Sequence, residues 1–292
     1  MSDENPHLQS LDQILETGVW DNIQAIPVVN LDSRPERMER LLESAEGVLP
    51  TGLIQRMPAV LGKELHGFGS SPWFRRRTSD ARWAARAGCI LSHGKIIKLA
   101  AAKCWDHTLI LEDDATFDQT SASDLAGILE FLFSHPLDWD VCYLGYSKAT
   151  GPARHIATRN NHRICEVSGC ATTHAYLVNA KARDWILQNL PSEFNIWPWV
   201  AQHRAIDRWY ARTLSKHLKI LAVTPSLVPQ ADGFSDIIQD HVNYATDFPC
   251  AVTNLCHSKI SYSLSRFAWW TRTEFDNITD SMRAHHKRSN GF

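Results

Sequence analysis

Three acids in a row, Glu112-Asp113-Asp114, follow the short apolar run Thr108-Leu109-Ile110-Leu111. Adjacent carboxylates repel one another unless a cation or solvent relieves them. At the end of a buried strand they offer hard oxygen ligands suited to Mn²⁺ or Mg²⁺, and such an ion would in turn hold a pyrophosphate. Open α/β sheets take their ligands in the crevice outside the carboxyl ends of the strands, where these acids would stand. The same triplet on a solvated loop needs no ligand, and at the level of the triplet both readings stand.

For the acids to stand at a strand end, the chain must supply a sheet. It has 292 residues, 44% of them apolar and 21% charged, enough for one large domain with a sizeable core. The formal net charge of −2 argues against a dedicated nucleic-acid binder. The run 25–31, AIPVVNL, reads as a buried strand. Ser33 suits an N-cap and Pro35 the first turn of a helix ending near Gly47. Further strands are expected at 53–60, 108–111, 141–144, 175–178 and 219–224, with helices over 86–104, 122–134, 181–189 and 205–217. Residues 62–82 read as a long loop. This alternation predicts an α/β fold whose sheet is mostly parallel, with helices on both faces. Seven cysteines without a CxxC pair read as reduced, mostly buried thiols. No run is long enough to span a membrane, and the acidic, polar start lacks the pattern of a signal peptide, so the chain reads as cytoplasmic.

Two alternatives attach to these features. A phosphatase of the haloacid dehalogenase type also sets acids behind an apolar strand, but the frame Glu112-Asp113-Asp114-Ala115-Thr116 puts Glu at its nucleophilic position. Between Arg75 and Lys103 there are eight Lys or Arg and one acid, Asp80. Such a run is most simply a solvated face, and otherwise prompts a transferase acting on modified nucleic acid.

Seven blocks in order over about 26–240 make the chain resemble glycosyltransferase family 25, which includes lipopolysaccharide-type sugar transferases and procollagen galactosyltransferase domains. They are Val28–Arg37, Gly88–His93 (GCILSH), Leu109–Asp114 (LILEDD), Trp139–Gly145 (WDVCYLG), Thr172–Val178, Ala205-Ile206-Asp207, and Pro225–Gln230 with Phe234–Ile237. The resemblance implies a GT-A-type, Rossmann-like single domain over 23–258. Its nucleotide-sugar half would span about 23–146 and its acceptor half about 147–258, between an arm at 1–22 and a tail at 259–292. It implies a metal-dependent, inverting transfer of a hexose, galactose or glucose, from a UDP-sugar to the hydroxyl of a carbohydrate, glycolipid or hydroxylated acceptor. A catalytically inactive nucleotide-sugar-binding protein is the alternative.

Within that frame Asp114 is the expected direct ligand of Mn²⁺ or Mg²⁺, with Glu112 and Asp113 orienting metal-bound water or ribose. Asn30, Leu31, Arg34 and Arg37 face the donor, because Arg suits bidentate phosphate contact. Ser92, His93 and Gln230 are further donor-side candidates, and His174 is a lesser metal contact. A general base must take the acceptor proton; Asp207 is the first candidate and Asp236 the second. The context Arg204-Ala205-Ile206-Asp207 departs from the family's pattern, and so does the Arg-rich segment 62–87, so the acceptor is the least transferable part. The tail carries six basic and three acidic residues, and with them Tyr262, Phe267, Trp269, Trp270 and Phe275. It suits contact with an anionic membrane surface. Otherwise Phe267, Trp269 and Trp270 fold back on the domain and the last ten residues form a disordered polar end.

Overall fold

The computed structural model describes residues 18–74, 79–135, 137–235, 237, 240–243 and 247–289. An eight-stranded sheet forms the middle layer: β1 (Ile26–Asn30), β2 (Ile54–Pro58), β3 (His107–Glu112), β4 (Val141–Gly145), β5 (Lys148–Arg159), β6 (His162–Ala171), β7 (Ala175–Asn179) and β8 (Ile220–Thr224). Its order is β2-β1-β3-β7-β4-β8-β6-β5. Successive side chains of a strand point to opposite faces, and the core follows that period. Leu109 and Leu111 enter one apolar cluster and Ile110 the other; Cys142 and Leu144 likewise part from Val141 and Tyr143. Helix α1 (Pro35–Ala45) and helix α3 (Ala122–Ser134) cover one face. The other is covered by α2 (Ser79–Ala102), α4 (Ala180–Asn189), α5 (Ile196–His203) and α6 (Ile206–Arg212). The molecule is thus α/β, with one sheet running through both expected halves.

Four expectations change. The sheet is mixed, not mostly parallel. Pairs β1–β2, β1–β3 and β4–β8 are parallel, whereas β7 lies antiparallel between β3 and β4, and β6 lies antiparallel to β8 and β5. Arg34 rather than Ser33 occupies the N-cap of α1, Pro35 taking the first helical position. Residues 148–171 form the long hairpin β5–β6, turned by Asn160 and Asn161 at φ 44° and 63°. Two consecutive positive φ angles make the tight, right-twisting hairpin turn for which Asn is tolerated. The tail is not a disordered end either, since Lys259–Ser289 is one helix, α7.

Helix α7 packs on β5, α5 and α6, burying Tyr262, Thr273, Asp280 and Ala284. Trp269 and Trp270 are half-buried, while Phe267 faces out. Arg266 donates to Glu166 at 2.7 Å, with its guanidinium 4.5 Å from the Trp270 ring centre. Asp280 is buried among guanidinium groups: Arg208 at 2.7 Å, Arg204 at 3.4 Å, and Arg212 and Arg283 at 3.5 Å. Arg212 also reaches Asp276 at 2.9 Å, and Lys216 pairs with Glu274. A charge buried without partners would be prohibitive, so this cluster fixes α7 against the helix that begins at Ile206. No helix among the described residues is long and apolar enough to cross a membrane.

One glycine in the GCILSH block sets a close approach. A Cβ on Gly88 would stand 2.3 Å from the Val60 carbonyl oxygen and 3.1 Å from the Gly62 nitrogen. Both obstacles are backbone, so α2 or the 60–62 segment must shift. Gly88→Ala is expected to destabilise the fold by about 1–3 kcal/mol, as overpacking does. A thermal midpoint lowered by several degrees in calorimetry checks this; an unchanged midpoint contradicts it.

Candidate active site

The acids stand where the apolar strand ends. Because β1 and β3 run parallel and adjacent, their carboxyl ends meet. The Asp113 amide donates to the Val29 carbonyl at 3.1 Å, and the Glu112 amide to the His174 carbonyl at 2.9 Å, just before β7 begins. The three carboxylates then turn to different partners.

Glu112 points into the core side. Its Oε1 accepts from Thr173 Oγ1 at 2.8 Å and lies 3.1 Å from His93 Nε2. His93 is fully buried, and its Nδ1 lies 2.8 Å from the Tyr176 hydroxyl, itself 3.4 Å from that of Tyr210. Burial pushes the Glu112 carboxyl up, but hydrogen bonds from His93 and Thr173 outweigh it and hold the group ionised below its ordinary range. His93 therefore meets the acidic loop: it holds Glu112 in place. The Cys89 sulfur, a His93 ring nitrogen and a Glu112 oxygen all lie within 4.8 Å of one another. Burial and the neighbouring Glu112, Asp207 and Asp114 push the Cys89 thiol far up, so it stays protonated.

Asp113 faces β1. Its Oδ2 accepts from Asn30 Nδ2 at 2.7 Å and its Oδ1 from Arg37 Nη1 at 3.3 Å. Asn30 Nδ2 also donates to the Arg34 carbonyl at 2.8 Å, and Asn30 Oδ1 accepts from Arg56 Nε at 2.7 Å. The Leu31 carbonyl accepts from the Arg34 amide, closing the turn into α1. Asn30, Leu31, Arg34, Arg37 and Asp113 are thus brought together in one hydrogen-bonded corner.

Asp114 is different. Its Oδ2 accepts from Gln230 Nε2 at 2.8 Å, and its backbone carbonyl from the Ala231 amide at 2.7 Å. Its Oδ1 is buried with no partner, as is Gln230 Oε1. Burial, then the charge of Glu112, pushes the Asp114 carboxyl up to about 7. Two orphaned oxygens beside stacked negative charge fit a hard divalent cation, which prefers oxygen donors and would relieve the repulsion.

Asp207 opens α6. Its Oδ2 accepts from the Thr172 amide at 3.1 Å and its Oδ1 from the Arg208 amide at 2.6 Å. Burial pushes its carboxyl up; the two amides and Arg86 oppose this, while Glu112 adds to it. The charges of Glu112, Asp207 and Asp114 all bear on the half-buried Cys89 thiol.

Other expected residues stand elsewhere. Ser92 Oγ accepts from the Val60 amide at 2.8 Å and donates to the Gly88 carbonyl at 2.7 Å, tying α2 to the segment after β2. Both His174 ring nitrogens are engaged, Nε2 at 2.9 Å from the Val228 carbonyl and Nδ1 at 3.1 Å from Thr172 Oγ1, which leaves neither for a metal. Asp236 lies outside the described residues. All seven cysteines are free thiols; three are buried and Cys104 is exposed. The sequence reading missed Arg56, Thr173 and Tyr176. Arg56 had a faint signal, a charged residue inside a run otherwise fit for a strand.

The fold and site define an α/β protein with three acids at the carboxyl ends of two adjacent parallel strands. The curated proteins that the chain is similar to are glycosyltransferase 25 family members. A probable inactive glycosyltransferase 25 family member 3 of Rattus norvegicus is 25% identical over 174 residues, 56% of this chain and 30% of the relative. Procollagen galactosyltransferase 2 of Mus musculus is 28% identical over 161 residues, 52% and 25% of the two chains. Procollagen galactosyltransferase 1 of Danio rerio is 24% identical over 180 residues, 59% and 29%. The chain thus spans under a third of the length of these relatives. No family model matches it. A crystal structure of a protein from STIV aligns over 75% of this chain and 93% of its own, at a TM-score of 0.37 and 11% identity.

Proposed function

We propose that this chain is a metal-dependent, inverting hexosyltransferase that moves galactose or glucose from a UDP-sugar to an acceptor hydroxyl. The observation that carries the reading is Asp114: a carboxylate pushed up to about 7, with one buried oxygen left without a partner beside two further acids. Asp114 and Gln230 would hold Mn²⁺ or Mg²⁺, with Glu112 fixed behind them by His93 and Thr173. The bound ion would supply Lewis-acid stabilisation of charge on the leaving diphosphate.

The chain's own residues do the rest. Asn30 and Asp113 shape the nucleoside side of the site, and Arg34 and Arg37 carry positive charge to it. In the transfer, the acceptor oxygen forms a bond to the anomeric carbon as the bond from that carbon to the UDP oxygen breaks. The acceptor proton passes to a carboxylate, and Asp207 is assigned that role. Its raised proton affinity favours acceptance of that proton, and the Thr172 and Arg208 amides aim it.

The name of the rat relative keeps a second reading in view, a protein that binds nucleotide sugar without turnover. Incubation with UDP-Gal, UDP-Glc, UDP-GlcNAc and UDP-GalNAc, with and without Mn²⁺, separates the two. Thermal stabilisation by one donor that requires Mn²⁺, together with UDP release, supports the transferase. Stabilisation without UDP release, with any acceptor offered, supports the binding protein. No stabilisation by any donor defeats both.

A further inference from the structure

Helix α7 has a second face that no other described residue covers. Opposite the buried line of Tyr262, Thr273, Asp280 and Ala284 run Ile260, Leu264, Phe267, Thr271, Phe275, Ile278 and Met282. At 100° per residue these seven fall on one stripe about 80° wide. The six apolar members are between 46% and 75% exposed. Together they present on the order of 800 Å², above the largest patch of an ordinary monomer and close to what each partner of a standard interface buries. The stripe extends over about 33 Å of helix. Its members 264, 267 and 271 recur eleven residues later at 275, 278 and 282, a period of about 3.67 residues per turn against 3.6 for a straight helix, so the seam drifts only about 20° per repeat.

The order of residues along the stripe is palindromic. The spacings read 4, 3, 4, 4, 3, 4 about Thr271. Reversing the stripe sets Phe267 on Phe275, Leu264 on Ile278 and Ile260 on Met282, so aromatic meets aromatic and aliphatic meets aliphatic. The smallest member, Thr271, falls on the axis, where two helices come nearest. A two-fold interface must be self-complementary in this way: residue i meets j while j meets i. A lipid surface makes no demand on order along a helix. The stripe also has mixed charge at its margins, with Arg272 and Arg283 on one side and Glu274 on the other.

We infer that the occupant of this face is a second copy of the chain, with the two α7 helices packed antiparallel about a dyad at Thr271. The inference is independent of the catalytic reading, since none of these residues belongs to the acidic site.

Sedimentation equilibrium of the full 292-residue chain at micromolar concentration tests it. The wild type should have twice the chain mass. Phe267→Glu and Phe275→Arg should each give monomers, because each sets a charge against an apolar ring twice per dimer. Combining them should restore the dimer, because Glu at 267 then meets Arg at 275 of the other copy. Eight residues apart on one helix, the two cannot pair within a chain. All these side chains are exposed, so circular dichroism should match the wild type, and the thermal midpoints of the monomeric variants should fall only by the stabilisation that dimer formation supplies. A monomeric wild type overturns the inference, as does a dimer unaffected by either single change. A double variant that stays monomeric overturns the antiparallel register. A wild type that is monomeric alone but co-sediments with phosphatidylserine vesicles assigns the face to lipid instead.

Discussion

Asp207→Asn is expected to cut turnover by roughly 10²–10⁴ while leaving UDP-sugar affinity within a few-fold, the pattern of a lost general base. The amide keeps one acceptor oxygen for the Thr172 and Arg208 amides, where the carboxylate offered two. A modest stability loss of about 1 kcal/mol is therefore expected alongside. Steady-state kinetics with calorimetric donor binding separate the two effects: misfolding would lower affinity and turnover together, whereas loss of the base lowers turnover alone. If Asp236→Asn shows that pattern and Asp207→Asn does not, the base is Asp236.

Asp114→Asn should abolish Mn²⁺-dependent UDP binding and, with it, turnover. The same change should stabilise the metal-free fold. The folded carboxyl sits at about 7 against an unfolded value near 4, so the native state holds its proton more tightly. Its contribution to stability is present below pH 4 and is lost as pH rises toward 7. Above pH 7 wild type carries a desolvated charge that the amide variant lacks. Denaturant titrations with chelator present should show the variant more stable at pH 8 by on the order of 2 kcal/mol, with the advantage shrinking toward pH 5. Unchanged UDP affinity at saturating Mn²⁺ would sink the ligand assignment. A variant less stable than wild type at pH 8 would sink the account of the buried charge.

How much of this was legible in the sequence depended on whether a feature was local. The run from Leu109 to Asp114 carried its own meaning, because an apolar strand and the acids at its end are contiguous. Ala122–Ser134 was readable for the same reason, with helical spacing set by its own residues. Strand direction was not local. Whether β7 runs with or against β3 depends on the crossover, and residues 175–179 look the same either way. The β5–β6 hairpin went unseen because Gly151 and Pro152 interrupt its apolar pattern; Asn160-Asn161 was the turn signal that could have found it. In the site, Asp114 could be nominated from its neighbours. The bonds that hold Glu112 come from Thr173, 61 residues away, and from His93, whose other nitrogen meets Tyr176 at a separation of 83. The tail's contacts were hidden for a related reason. Its net charge counted Arg266 and Arg283 as available to a surface, whereas the fold engages them with Glu166 and Asp280.

That engagement bears on how the chain can be divided. Asp280 belongs by sequence to the final segment, yet its carboxylate is the buried counter-ion of Arg204, Arg208 and Arg212, which flank Asp207 on the chain. A cut at Ser258 would leave three guanidinium groups facing one another, two of them one helical turn apart, where like charges repel. The last helix is therefore not a detachable appendage that could be traded among related chains. A chimera joined at that point would inherit an unbalanced cluster beside its proposed base. The two stretches have to be exchanged, or conserved, as one unit.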